Sequence, residues 1–464
     1  MSIFSAFFSG ISGLNANGMA MQVIGNNISN INTIGFKGGR PVFADLLSQN
    51  LANAGISGQV GLGSRITAID TTFGQGTFQN SNSSTHVAVS GAGFFVLEHP
   101  DLGTGYSRAG NFMFDKNGYL VNPAGYRTQG WLTTPGDLVV DTTTAITDIR
   151  IPSGRVDPPS ETTIIEIIAN LNADAFPDDP AAIGLANGTE VFRTSFVAFD
   201  SLGSQHTFTL HAQPVDTTAD GALDQWEWAV TVDGSEVTGG TGGTPWILAG
   251  SAGFEDDTDG DTVTEFGNVA ALGAGPAITF DANGVLLTPA ADVAIAIPAV
   301  GNGSWANGSN GQTISWNLFN DDLSANVTGF ASPSTIISAS QNGYGAGQLV
   351  GLSIDDLGVM VGVFTNGQTR ELAKLALATF NSPEGLVKTG GNIFAEGPGS
   401  GSAAIGEPQT GGRGSIAGQT LELSNIDIAE EFTSMIVTER AYQANSRIIT
   451  TTDEMIQEAL TLKR

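Results

Sequence analysis

Residues 1–31 read MSIFSAFFSGISGLNANGMAMQVIGNNISNI, and within them Ile3, Phe7, Gly10, Leu14, Asn17, Met21, Ile24, Ile28 and Ile31 recur at alternating steps of four and three. That spacing lays them along one stripe of a helix, the pattern of a heptad seam. Gly10 and Asn17 are poor seam residues, and Gly13, Gly18 and Gly25 each cost a helix about 1 kcal/mol relative to alanine. The helix is therefore expected to be unstable alone. The far end of the chain carries a partner pattern, with Ile428, Met435, Tyr442, Ile449 and Ile456 seven apart and Phe432 and Leu460 flanking them. Ser424 and Asn425 are candidate caps for this second helix, Asp427, Glu430 and Glu431 sit in its first turns, and Lys463 and Arg464 close it with the sign its dipole favours. Its second row, Glu439, Ser446 and Asp453, leaves the seam only partly apolar, so more than one neighbour is expected. Periodicity alone leaves an intracellular scaffold and a filament subunit both open.

Between the two ends the pattern is that of β structure. Gly93 to Leu97, Tyr106 to Phe114, the turn Asp115-Lys116-Asn117-Gly118 and Tyr119 to Val121 read as strand, strand, hairpin turn and strand. Val191 to Phe199, Thr207 to Ala212, Trp226 to Val232, Leu352 to Phe364 and Glu371 to Phe380 carry the aromatic and β-branched residues of half-buried sheets. Asn-Gly pairs, including Asn117-Gly118, Asn283-Gly284 and Asn366-Gly367, point to type I′ hairpin turns. The chain has 464 residues, too many for one core, and 62 glycines against only 14% charged residues. The expected fold class is mixed: terminal α-helices forming a coiled-coil-like inner domain, with two mainly antiparallel β domains between them.

The net charge is −29, and between Asp174 and Glu265 there are 17 acidic residues against one basic residue, Arg193. Such a surface repels nucleic acid and anionic membranes, since binding a polyanion requires lysine and arginine to displace its counterions. Asp257, Asp259 and Asp261 alternate around Gly260, but the downstream glutamate of an EF-hand loop is absent, so solubility explains the acidity better than calcium does. The chain has no cysteine, which excludes disulfides, thiolate metal sites and a thiol nucleophile. The first residues lack a basic segment and are interrupted by serine and glycine, unlike a Sec signal. Val285 to Val300, broken by Pro289, Asp292 and Pro298, is too short to span a bilayer. His86, His99, His206 and His211 fall in no metal-binding or triad pattern, and no nucleophile elbow or complete phosphate loop is present. No catalytic, cofactor-binding or metal residue is therefore assigned.

Two terminal stretches carry more than periodicity. Gly25-Asn26-Asn27-Ile28-Ser29-Asn30-Ile31-Asn32-Thr33-Ile34-Gly35-Phe36-Lys37 closely resembles the N-terminal signature of the axial proteins of the bacterial flagellum, its rod and hook. Asn26, Asn27, Asn30, Asn32, Gly35, Phe36 and Lys37 carry that match. Leu421 to Asp427, running through Glu430-Glu431-Phe432 to Arg440-Ala441-Tyr442-Gln443-Ala444-Asn445, is similar to the family's C-terminal motif. Val89 to Phe95 with Tyr106 to Phe112, and Asn342 to Tyr344 through Gln368, resemble its inner β domain. The insertion of residues 145–328, with Phe199 to Ser204 and Phe280 to Leu286, points to the hook-forming members over the shorter distal-rod ones.

The resemblance implies a division into terminal helices (1–32 and 424–464), an extended linker (33–72), an inner β domain (73–144 and 329–423) and an outer acidic β domain (145–328). It also implies a structural subunit, not an enzyme, whose chief partner is itself in a helical homopolymer. The other implied partners are the distal rod, hook cap and hook-filament junction proteins and the type III export apparatus. The implied location is the extracellular flagellum, reached without a cleavable signal, where the curved tube transmits torque. The polymerisation residues would be Ile3, Phe7, Leu14, Met21, Ile24, Ile28 and Ile31 at one end, and Ile428, Phe432, Met435, Tyr442, Ile449, Ile456 and Leu460 at the other. A secreted β-rich enzyme or adhesin is the reading from a different class, and the paired terminal stripes argue against it.

Overall fold

A computed structural model describes residues 3–46, 49–53, 56–134, 137, 139–152, 154–175, 192–215, 225–251, 272–320 and 324–461. It is mostly β, with two long helices, α1 (Ile3–Ser29) and α2 (Ile428–Thr461). The chain divides into two compact units, one of residues 1–155, 349–364 and 368–464, the other of residues 156–348 and 365–367. The loop with Asp257, Asp259 and Asp261, and the terminal Lys463 and Arg464, lie outside the described residues.

In the first unit the helices run antiparallel: Gly10 lies against Ile449, Gly13 against Asn445, and Asn27 against Glu431. The cap of α2 is Asp427, whose carboxylate accepts the N–H groups of Ala429 (2.7 Å) and Glu430 (3.3 Å); it is not Ser424 or Asn425. On α1 the residues fully buried along the contact are Gly10, Gly13, Ala16, Ala20, Ile24 and Asn27, with Phe7, Leu14, Asn17, Met21 and Ile28 half-buried; Ile31, expected on the same stripe, is half-buried in the turn past the end of the helix. On α2 the half-buried Met435, Ile449 and Ile456 are joined by Glu431, Thr438, Asn445 and the buried Thr452, while Ile428, Phe432 and Tyr442 are exposed. The second row of the contact thus lies one residue round from the expected Glu439, Ser446 and Asp453. At one point the approach is close: a Cβ on Gly13 would stand 2.8 Å from the Asn445 amide, so the glycine makes room for that short polar side chain. The side chains of Ile3 and Leu460 lie outside those described.

Gly13 and Gly25 make a pair of opposite sign. Gly25 has open space around it, so Gly25→Ala is expected to stabilise by about 1 kcal/mol through helix propensity alone. Gly13→Ala gains the same propensity but pushes Asn445 away and is expected to be destabilising. Thermal melts of the two variants distinguish these outcomes.

Residues 33–72, expected to be an extended linker, contain a ribbon of Gly39–Asp45 paired with Ser64–Thr71, and Gln49–Asn53 paired with Ile56–Val60. Most of this unit is an antiparallel sheet in the order 359–364, 369–375, 127–132, 94–99, 103–107, 393–395 and 387–390. Phe95, Leu97, Phe112, Leu120, Ile149, Met360 and Leu375 fill its core.

Among its described residues the second unit has two five-stranded sheets around one core rich in tryptophan: Trp226, Trp228, Trp246, Trp305 and Trp316 with Ile165, Ile167, Phe196 and Phe208. Strand 164–170 pairs parallel with 312–317 and 327–328 and antiparallel with 335–341.

Five turns, divided between the two units, share one construction, and it is not type I′. At Asp115, Asn122, Asp200, Asp281 and Asp355 the Oδ1 atom accepts the N–H groups two and four residues on, and a glycine at the fourth position takes φ of 75–86°. Asn117 and Asn283 keep negative φ, which type I′ forbids; the aspartate three residues before the glycine builds the turn.

Asp200 is the most constrained of these carboxylates. Burial pushes its pKa up, but donation from Asn307, His206 and Ser204 overcomes this and holds it at about 2. Its contribution is complete above the unfolded value near 4 and lost as pH falls through about 2. The second unit is expected to lose about 2 kcal/mol across that window, and Asp200→Asn, whose amide oxygen can build the same turn, should flatten this acid dependence in tryptophan-fluorescence unfolding.

Candidate functional site: the junction of the two chain ends

After α1 the chain leaves the helix through an asparagine turn. Asn30 donates to the carbonyl (2.9 Å) and side chain (3.1 Å) of Asn26 and accepts from Thr33 (3.1 Å), while Asn32 is exposed. Gly35 then adopts φ of 67° and donates its N–H to the carbonyl of Glu422 at 2.8 Å. Phe36 and Lys37 are carried into the unit's interior.

Lys37 is fully buried. Its Nζ donates to Glu422 Oε1 at 2.6 Å and to the carbonyl of Gly74 at 2.8 Å, and Glu422 Oε1 also accepts the N–H of Gly76 at 2.9 Å. Burial pulls the Lys37 pKa down, against the pull of Glu422. Arg108 stands 3.7 Å from the other carboxylate oxygen. Lys388 donates to the Lys37 carbonyl at 2.9 Å, with its ammonium 5.4 Å from the centre of the Phe36 ring.

Two asparagines clamp the next residues. Asn27 accepts the N–H of Gly39 (3.0 Å), donates to its carbonyl (2.8 Å) and reaches Glu431 of α2 (2.9 Å). Asn425 accepts the N–H of Gly38 (3.0 Å) and donates to the carbonyls of Thr72 (2.8 Å) and Gly74 (3.3 Å). Residues from both ends of the chain thus satisfy one short stretch of backbone, as buried N–H and C=O groups require. Asn27, Gly35, Phe36 and Lys37 are brought together here, whereas Asn26 and Asn30 shape the helix exit and Asn32 stays exposed beside it. The sequence reading assigned no role to Gly38, Gly39, Arg108 or Glu422. The histidines do not converge: His86 meets Ser81, His206 lies between Asp200 and Glu236 stacked on Trp305, and buried His211, its pKa lowered to about 4 by desolvation, meets Thr231.

The joining of both chain ends in one junction is matched by similarity along the whole length. Residues 9–37 match the flagella basal body rod protein family, 88–168 the flagellar hook protein FlgE/F/G D1 domain, 170–344 the flagellar basal body protein FlaE D2 domain, and 417–462 the flagellar basal body rod FlgEFG protein C-terminal family. Flagellar hook protein FlgE of Treponema pallidum is 35% identical over 99% of both chains, and that of Borreliella burgdorferi 34% over 99% of both. The chain belongs to the flagellar hook protein family. FlgE of Escherichia coli K12 is 30% identical over 99% of this chain and 100% of its own. A crystal structure of Helicobacter pylori flagellar hook protein FlgE2 aligns with TM-score 0.44 and 16% identity over 74% of this chain and 100% of that one. The family assignment rests on the sequences. For this hook-family chain, the axial-protein resemblance of both termini and the choice of the hook branch hold.

Proposed function

We propose that the chain is a structural subunit, without catalytic function, that polymerises through its terminal helices into the curved flexible tube of the flagellar hook. The observation that supports this most is the apolar surface left on α2. Phe432 is 48% exposed, Ile436 57% and Val437 63%, and Ile428, Ile448 and Met455 are exposed with them. A soluble monomer gains nothing from such a row; covering it between copies releases roughly 25 cal/mol per Å² of apolar area. The 36 residues before Lys37 contain no charged side chain, so α1 also suits a surface that becomes buried on assembly. Among the described residues no helix is long and apolar enough to cross a membrane.

In this reading the outward-facing stripe residues Ile428 and Phe432, with the neighbouring Ile436 and Val437, serve subunit contacts, and a head-to-tail interface that does not close generates the helical tube. Export through the flagellar type III apparatus, an extracellular position, and contacts with distal rod, hook cap and hook-filament junction proteins belong to the same proposal. Ile436→Lys with Val437→Lys tests it. The variant is expected to keep the parent's circular dichroism and unfolding midpoint while failing to form tubes. Tubes of normal yield from that variant would exclude the exposed row from assembly.

A further inference from the structure

Arg108 is the junction cation that Glu422 leaves unsatisfied. Two buried cations face one carboxylate there, and Oε1 of Glu422 is occupied by Lys37 and the Gly76 N–H. Its Oε2 stands 3.7 Å from Nη1 of Arg108, beyond hydrogen-bond distance. Nη1 makes one long bond, 3.4 Å, to the Val89 carbonyl, and Nε is buried with no partner. A guanidinium keeps its proton under such conditions, so a buried positive charge is left with one long hydrogen bond and a 3.7 Å ion pair to Glu422 Oε2, itself buried without a hydrogen-bond partner.

Arg108 also lines a pocket of about 350 Å³, walled by Phe73, Phe94, Phe380 and Thr379 and opening at the exposed Ala92. The Phe94 ring centre lies 5.2 Å from the guanidinium carbon. No carboxylate is among the residues lining the pocket.

We propose that this pocket binds a carboxylate carried on an apolar body, with Arg108 as its anchor. The planar guanidinium matches a carboxylate fork, the phenyl walls accept the attached hydrocarbon, and the volume is that of a small ligand site. One cation flanked by three aromatic rings suits a singly charged carboxylate better than a phosphate dianion. The carboxylate can be a small free acid or an aspartate or glutamate of a second copy, which a chain with 46 acidic and 17 basic residues supplies in excess. Only that second source rests on the polymer reading above.

Calorimetric titration of the soluble full chain with benzoate at constant ionic strength tests the site, with benzamide as the neutral control. Benzoate is expected to bind once per chain and about tenfold or more tighter than benzamide, as loss of a charge-assisted bond implies. Arg108→Gln should abolish the preference, but it also disturbs Glu422. Ala92→Trp, which fills the lip outside the ion cluster, is therefore the decisive variant; it should weaken benzoate about tenfold while leaving the unfolding midpoint unchanged. Absence of binding, equal affinity for benzamide, or affinity unaffected by Ala92→Trp overturns the site. In assembled tubes, loss of benzoate binding together with poor assembly of Ala92→Trp assigns the pocket to a neighbouring copy. Retained binding with normal assembly assigns it to a free acid.

Discussion

Replacing Lys37 by methionine is expected to lower the unfolding free energy of the helix-bearing unit by about 3–5 kcal/mol, the usual cost of removing one partner of a buried ion pair. The lost attraction is the smaller part. Methionine fills most of the space, but Glu422 then keeps a buried charge with only the Gly76 N–H at hydrogen-bond distance and Arg108 at 3.7 Å. The double variant Lys37→Met with Glu422→Gln removes that stranded charge while retaining an acceptor for Gly76, and should lose less than Lys37→Met alone. Urea unfolding followed by circular dichroism is the appropriate readout, because five of the six tryptophans, all but Trp131, belong to the other unit. A loss below about 1 kcal/mol for Lys37→Met would mean that the pair is not what holds the junction.

Gly35→Ala is expected to cost about 2–4 kcal/mol, from two sources that add. A non-glycine residue in the left-handed region costs about 1–2 kcal/mol. The new Cβ would also stand 2.6 Å from the nitrogen and 2.8 Å from the Cα of Ala109, backbone atoms that cannot rotate aside. Gly125, at φ of 86° with open space about it, isolates the first source, so Gly125→Ala should cost only about 1 kcal/mol. Equal losses for the two variants would show that the close approach to Ala109 relaxes freely.

The two helices were legible because their apolar residues follow helical spacing over many turns. The face that joins them was legible only in part. The buried Gly10, Gly13, Ala16 and Ala20 of α1 and the Thr438, Asn445 and Thr452 of α2 carry little apolar signal, and a search for hydrophobic periodicity selects Phe432 and Tyr442, which are exposed. The terminal motifs named Asn27 and Lys37 without their roles, since the partners Glu431 and Glu422 lie 404 and 385 residues away along the chain. The turns held a signal that was read at the wrong residue. Asp115, Asp200, Asp281 and Asp355 each precede a glycine by three, and this spacing builds the turn whether or not asparagine comes before the glycine.

The most direct measurement of the central claim is negative-stain electron microscopy of the concentrated full chain beside a chain lacking residues 1–31 and 424–464. Tubes are expected from the full chain alone, with the shortened chain remaining a β-rich monomer by circular dichroism and sedimentation. Identical tubes from both would contradict it, because the polymer would then be built without the terminal helices.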